Sequence, residues 1–276
     1  FTNALMQAGA TGLVSGNAVA SSSTLAGTYT SNGTNTFSAG TPPTVTQTIA
    51  QGLGSPTYFA VGTGITYYYY ESGNPSLPGS WGTTSGAGLG TAATNFTTAS
   101  DVFIIENGYT ATLLSNLVIG SGTNAVTLTV QSGGTLNTST FAVQFAGNGS
   151  AFDLQSDATL QTSNVDGIQG NANNLGAVQI TAGTPASVTL TYSPTANYIF
   201  STSAASTNAR IAATGNKPAI TQAANITING GGTNQWQFSS NMNMSGILTV
   251  QNGWLTLTGG VFTLNAAGST VQNGAQ

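Results

Sequence analysis

Six residues of this 276-residue chain can carry a negative charge: Glu71, Asp101, Glu106, Asp153, Asp157 and Asp166. Asp153 and Asp157 stand four apart and Asp166 follows nine later, a spacing that could set three carboxylates on neighbouring turns of chain. Two carboxylates at a defined gap can cleave a glycosidic bond, and several with nearby carbonyl oxygens can hold calcium. Neither chemistry finds its helpers here. The only cations are Arg210 and Lys217, there is no histidine to assist an acid or base, and no G-G-x-G-x-D-x calcium repeat occurs. The carboxylates therefore read as solvated corner residues, and no catalytic, cofactor or metal residue is assigned. With histidine and cysteine both absent, thiol nucleophiles, Ser-His-Asp triads, zinc sites and disulfides are excluded.

Four further sets of residues invite a function, each beside a plainer reading. Lys217 is the only lysine, and a lysine meeting an asparagine and a carboxylate in a dry core can form an isopeptide bond; its setting, TGNKP just before Pro218, is that of a surface loop. The pairs Thr127/Thr129, Thr189/Thr191 and Thr256/Thr258 raise ice binding, but they lie more than 60 residues apart, so about three coils would separate them. Tyr67 to Tyr70, Trp81, Trp236 and Trp254 could stack on a glycan, although aromatics more often serve as core, end-cap or subunit-contact residues. Six N-x-S/T sequons, at Asn32, Asn95, Asn137, Asn148, Asn225 and Asn243, are expected by chance in so Asn- and Thr-rich a chain.

The elements that must position these residues follow from composition and pattern. Charged residues make up 3%, against roughly 25% in an ordinary soluble domain. Threonine is commonest at 46, with 37 glycines and 26 asparagines. Two cations cannot neutralise a row of phosphates, so nucleic acid is not a partner. A membrane span needs about 20 consecutive apolar residues, and none exists, so no membrane insertion is expected. Disordered chains combine low hydrophobicity with high net charge; here 39% of residues are hydrophobic and the net charge is −4, which favours an ordered β-protein.

Three regions are expected. Residues 1–65 form an irregular N-terminal arm or assembly segment, with a brief helical turn at ALMQA and a strand over 44–48. Residues 66–94 are a Tyr- and Gly-rich connection, whose four tyrosines alternate between two sides of a strand. From residue 95 to 276 short alternating segments recur, each ended by Gly, Asn or Ser: DVFIIENG, AVTLTVQSGG, FAVQFAGNG, ASVTLTYSP, GILTVQNG. LTVQSGGTLNTS (128–139) nearly repeats as LTVQNGWLTLTG (248–259), and FDLQSDATLQ (152–161) resembles FTLNAAGSTVQ (262–272). Such internal similarity favours a β-solenoid over a sandwich or barrel.

Physics supports that choice. Strands stacked at ~4.8 Å bring like positions together, where charges would repel and Asn, Thr and Ser can hydrogen-bond up the stack. Gly and Asn suit the corners, where positive φ is needed. The expected fold is all-β, a right-handed parallel β-helix (β-solenoid), with a two-sheet β-sandwich as the alternative. About 180 residues at roughly 20–25 per coil predict eight coils and ~40 Å of rod.

Residues 79–276 resemble the β-strand-repeat surface proteins exported by Bacteroidota. The resemblance rests on a Gly-rich lead-in with Trp81, then Asn95, Phe96, Thr97, Phe103 and Ile105, then an L-x-V-x-x-G-x-L coil at Leu128, Val130, Gly133 and Leu136. It implies β-solenoids that serve in adhesins, surface layers and extracellular filaments. The chain is far shorter than the giant members, shows no separate C-terminal sorting domain, and has no counterpart for residues 1–65.

The functional expectation combines these readings. Solenoid ends expose unpaired backbone, and VFTLNAAGSTVQNGAQ brings no charged or helical cap. Stacking of copies head to tail does not close and yields a fibre, with the 1–65 arm lying on a neighbour. The expected protein is not an enzyme and needs no cofactor. It is a self-assembling subunit of an extracellular filament or cell-surface layer, with copies of itself as partners. The start at Phe1 fits a processed, exported chain. The alternative is a monomeric adhesin or carbohydrate-binding stalk with surface glycans as partners; a polysaccharide lyase ranks third.

Overall fold

A computed structural model describes residues 17–22, 30–31, 35–38, 44–47, 58–70, 73–86, 88–168, 176–184, 187–201, 209–212, 222–230, 235–238, 243–252, 254–257, 263–264 and 268–271, with side chains for 64–70, 73–86, 88–168, 176–184, 187–201, 222–230 and 243–251. Among the described residues every regular element is a strand, apart from one 3₁₀ turn at Pro78–Ser80. Five strands come first: β1 (Asn17–Ser22), β2 (Thr30–Ser31), β3 (Asn35–Ser38), β4 (Thr44–Gln47) and β5 (Tyr58–Thr63). They pair antiparallel, in the order β2-β1-β5 and as a β3-β4 hairpin. The expected strand over 44–48 is β4, and the expected helical turn at ALMQA lies outside the described residues. β6 (Thr66–Tyr69) and β7 (Trp81–Gly82) follow.

From residue 102 the chain runs in coils of three strands. β8 (Val102–Ile105), β9 (Thr110–Thr112) and β10 (Leu117–Gly122) make the first, and β11 (Thr127–Val130), β12 (Thr135–Asn137) and β13 (Val143–Gly147) the second. β14 (Ala151–Leu154), β15 (Thr159–Thr162) and β16 (Val178–Ile180) make the third; β17 (Thr189–Tyr192), β18 (Asn197–Phe200) and β19 (Ala209–Ala212) the fourth. Next come β20 (Gln222–Ala223), β21 (Ile226–Asn229) and β22 (Gln235–Phe238), then β23 (Asn243–Met244), β24 (Ile247–Asn252) and β25 (Trp254–Leu257). β26 (Thr263–Leu264) and β27 (Gly268–Val271) complete the series.

The first face stacks β6, β8, β11, β14 and β17, with β7 antiparallel on the edge of β6; the second stacks seven strands, β9-β12-β15-β18-β21-β24-β27; the third stacks β10, β13 and β16. β19-β22-β25 and β20-β23-β26 are two more parallel sheets. Every described strand pair from β8 onward is parallel, so the sandwich alternative, which needs antiparallel hairpins, is set aside. The seven-stranded face spans about 29 Å at 4.8 Å per step. Among the described residues that is seven coils rather than eight, because coil length varies: Val102, Thr127, Ala151 and Thr189 stack, making successive coils 25, 24 and 38 residues long.

Alternation places the core. On the first face Tyr67, Phe103, Leu128, Phe152 and Leu190 stack inward, and on the second Ala111, Leu136, Leu160, Tyr198, Ile226 and Leu248; all are buried. Each Leu or Phe so buried is worth about 1.5–3 kcal/mol. The L-x-V-x-x-G-x-L segment does what its pattern predicts: Leu128, Val130 and Leu136 face the interior, and Gly133 turns the corner at φ +76°. The equivalent corner residues are Gly108 at φ +82° and Asp157 at φ +59°.

These corners are tied to one another along the stack. Gly108 N–H bonds the Gly133 carbonyl (3.2 Å), Gly133 N–H that of Asp157 (3.3 Å), and Asp157 N–H that of Thr195 (3.1 Å). The two near-copies do not occupy equivalent places. Residues 128–130 lie in β11 on the first face, whereas 248–250 lie in β24 on the second.

Candidate functional site

The acidic residues do not assemble. Asp153 sits on β14 between Thr129 and Thr191 of the flanking coils, and accepts a bond from Gln155 Nε2 (3.3 Å). Asp157 turns the next corner, and Asp166 lies in a turn held by Asn164 Oδ1 (2.9 Å to the Asp166 N–H). Among the described residues no three acidic side chains come close enough to share a metal ion. Glu71 lies outside the described residues.

The two remaining carboxyls bind backbone. Glu106 accepts the Ser85 hydroxyl on Oε1 and the Gly86 N–H on Oε2 (2.7 Å), fastening the 83–86 bend to the first coil. Asp101 is 2% exposed, and its Oδ1 accepts the Ile65 N–H at 2.8 Å. Burial pushes its carboxyl pKa up, with the Ile65 amide pulling the other way. Burial also raises the Tyr67 hydroxyl, and the nearby Asp101 adds to that shift.

The aromatics form a plug rather than a platform. β6 alternates as predicted, with Tyr67 and Tyr69 buried and Tyr68 and Tyr70 half-buried. Trp81 is fully buried; its indole N–H donates to the Pro75 carbonyl (2.9 Å) and its ring meets Tyr69, Phe96 and Phe103 at 5.4, 6.3 and 5.3 Å. Tyr67 stacks on Phe103 at 5.2 Å. These rings close the lumen below the first coil, so β6 and β7 of the expected 66–94 connection are part of the solenoid. The side chains of Trp236 and Trp254 lie outside the described residues; their backbones run in neighbouring β22 and β25.

The threonine pairs are nearer than their spacing implied. Thr127/Thr129 and Thr189/Thr191 share the first face two coils apart, because the coil from Ala151 takes 38 residues. Ala151 and Asp153 stand between them and break any threonine array. Thr256 belongs to β25 in a different sheet, and Thr258 lies outside the described residues.

Among the sequons, Asn95 Oδ1 accepts the N–H groups of Thr97 and Thr98 (2.8 and 2.9 Å), Asn137 Oδ1 that of Ser139 (2.9 Å) and Asn148 Oδ1 that of Thr184 (2.9 Å). Asn225 Oδ1 accepts the Ile247 N–H (2.8 Å). They are corner fasteners. Asn32 and Lys217 lie outside the described residues.

Side-chain bonds up the stack by Asn, Thr and Ser were expected; what sequence reading missed is which residues pair from coil to coil. Asn225 Nδ2 donates to Asn197 Oδ1 (2.8 Å) on the second face, and Gln144 Nε2 to Gln179 Oε1 (2.8 Å) on the third. Thr138 and Thr162, both fully buried, link hydroxyls at 3.0 Å. The signal was register: each pair is legible only once coil lengths are known. The outward column of the second face runs Thr112, Asn137, Gln161, Ile199, Thr227, Thr249, without one charge, and Thr270 of β27 stands in register with Thr249.

The class defined by this geometry is a parallel β-solenoid plugged at one end by aromatic rings and presenting an uncharged outward column. Compared with known protein families, curated proteins and solved structures, the chain finds no match.

Proposed function

We propose that this chain is a structural subunit that assembles with copies of itself into an extracellular filament or surface layer. The observation that supports the reading is the uncharged outward column on the seven-stranded face. Charges of one sign ordinarily hold soluble proteins apart, and flat Asn-, Gln- and Thr-bearing sheets pack readily on one another. Nothing on this face offers such repulsion. The extracellular setting rests on the resemblance to exported surface proteins, and the non-enzymatic role on a chain without histidine or cysteine whose Asp101 and Glu106 carboxyls are engaged by backbone N–H groups.

The monomeric glycan-binding stalk is the competing reading, but Tyr67, Tyr69 and Trp81 are spent on the core. Negative-stain electron microscopy of the full chain across a concentration series tests the proposal. Uniform fibres or sheets that grow with concentration are expected. Single rods at every concentration would overturn it and send the question to a glycan array.

A further inference from the structure

At the plugged end the three faces are not closed alike. On the first, β6 lies over β8 and antiparallel β7 covers β6. On the third, the Phe96 carbonyl takes the Gly120 N–H (2.8 Å), and Asn124 Nδ2 reaches the Thr97 carbonyl (2.9 Å). On the second face β9 is the outermost strand. Its pairing with β12 fixes which groups are used: Thr135 N–H bonds the Tyr109 carbonyl and Leu113 N–H bonds the Asn137 carbonyl, both at 2.8 Å. Parallel pairing alternates along the strand, so the N–H and C=O groups of Thr110 and Thr112 point away from β12. They meet no partner among the described residues.

Beside this edge lies exposed apolar surface. Leu77, Leu114 and Val118 are 57, 64 and 43% exposed. The Ser76 hydroxyl bonds the Ser115 carbonyl (2.7 Å), which sets the Leu77 turn against the Leu114 corner. Proteins ordinarily guard such edges with Lys, Pro or a bulge; β9 and the stretch 107–118 have no charge and no proline.

We propose that the β9 edge, with its collar of Leu77, Leu114 and Val118, is the docking site for a parallel strand from a second copy of this chain. The inference rests on the assembly reading and narrows it to one face. The occupant follows from the sheet itself, which already stacks seven parallel strands in continuous register with no charge to oppose an eighth. β27, the outermost described strand at the other edge of this sheet, offers a matching register: Thr270 stands at the register position of Thr112, and Ser269 at that of Ala111. Docking is thus head to tail and heterologous, which propagates.

The test compares wild-type full chain with Thr112→Lys and Leu114→Asp, and with Thr189→Lys, which adds the same charge to an exposed position of the first face, outside the uncharged column and away from the β9 edge. Sedimentation velocity should show the edge variants needing at least about tenfold higher concentration to assemble, while Thr189→Lys assembles as wild type. Hydrogen exchange of peptides covering 107–118 in wild type adds a readout free of substitution: protection should rise on assembly. Assembly that proceeds unchanged in both edge variants, or leaves exchange at 107–118 unaltered, would overturn the docking site while leaving the assembly reading intact. Protection already complete in dilute monomer would mean that the chain covers its own edge, and overturns it likewise. A wild-type chain that never assembles would remove both.

Discussion

The plugged end and the coils above it are built by different physics, although one column of inward residues runs through both. At the end, Trp81, Phe96 and Phe103 meet edge to face and Tyr67 stacks on Phe103, each ring delivered by a different segment. In the coils the same work is shared among Leu128, Phe152, Leu136 and Leu160, and among corner bonds repeated at each step. A unique plug concentrates stability in few side chains, whereas a repeat distributes it between neighbours. The difference teaches where a substitution should hurt.

The largest effect is expected at Trp81. Trp81→Ala removes the ring against which three others pack and leaves the Pro75 carbonyl without its donor. It should cost about 3–5 kcal/mol, read as the urea midpoint at constant slope. A loss no greater than that of a corner residue would erase the distinction. Gly133→Ala probes the coil corner. A side chain must adopt φ +76°, and its Cβ would stand 2.2 Å from Asn107 Oδ1. The amide can swing aside, so about 1–2 kcal/mol is expected, visible as a lowered melting temperature.

Thr138→Val should cost about 1 kcal/mol, because Thr162 loses one hydroxyl partner but keeps bonds to Asn164 N–H and the Ser139 carbonyl. A double-mutant cycle with Thr162→Val measures the pair directly. The smallest effect is a pH dependence where Asp101 joins the start of β6 to the start of β8. With its pKa raised by burial, Asp101 holds its proton more tightly folded than unfolded. Its contribution is therefore full below the unfolded value near pH 3.9 and is lost as pH rises through the folded pKa. Melting curves across that range should show Asp101→Asn flattening this slope; an unchanged slope would show that another group sets it.

The local half of this architecture was legible in the sequence. Leu128, Val130 and Leu136 alternate with polar residues, and a glycine at 133 announces a corner, because period two and positive φ are properties of a few neighbouring residues. Which face a segment joins was not legible. LTVQ at 128 and at 248 are the same four residues, yet they lie on different faces, since face is set by the summed lengths of every intervening corner. The same cause brought Thr129 and Thr191 within two coils. The aromatic plug was visible as composition, but Trp81 meets Tyr69 only through the bend that returns from Pro75 to Ser80, where Tyr70 N–H bonds the Ser80 carbonyl. The polar ladders of Gln144 with Gln179 and Asn197 with Asn225 depend on register across 35 and 28 residues.

The corner chain from Gly108 through Gly133 and Asp157 to Thr195 runs along the rod, as do the bonds within each stacked face. A tensile load applied along that axis would therefore fall on the coil interfaces in series, and the weakest interface would yield first. Each coil of 24 or 25 residues that peels away frees about 80 Å of slack chain. A filament made this way would lengthen under strain in discrete steps, dissipating force coil by coil while the rest of the rod stays wound.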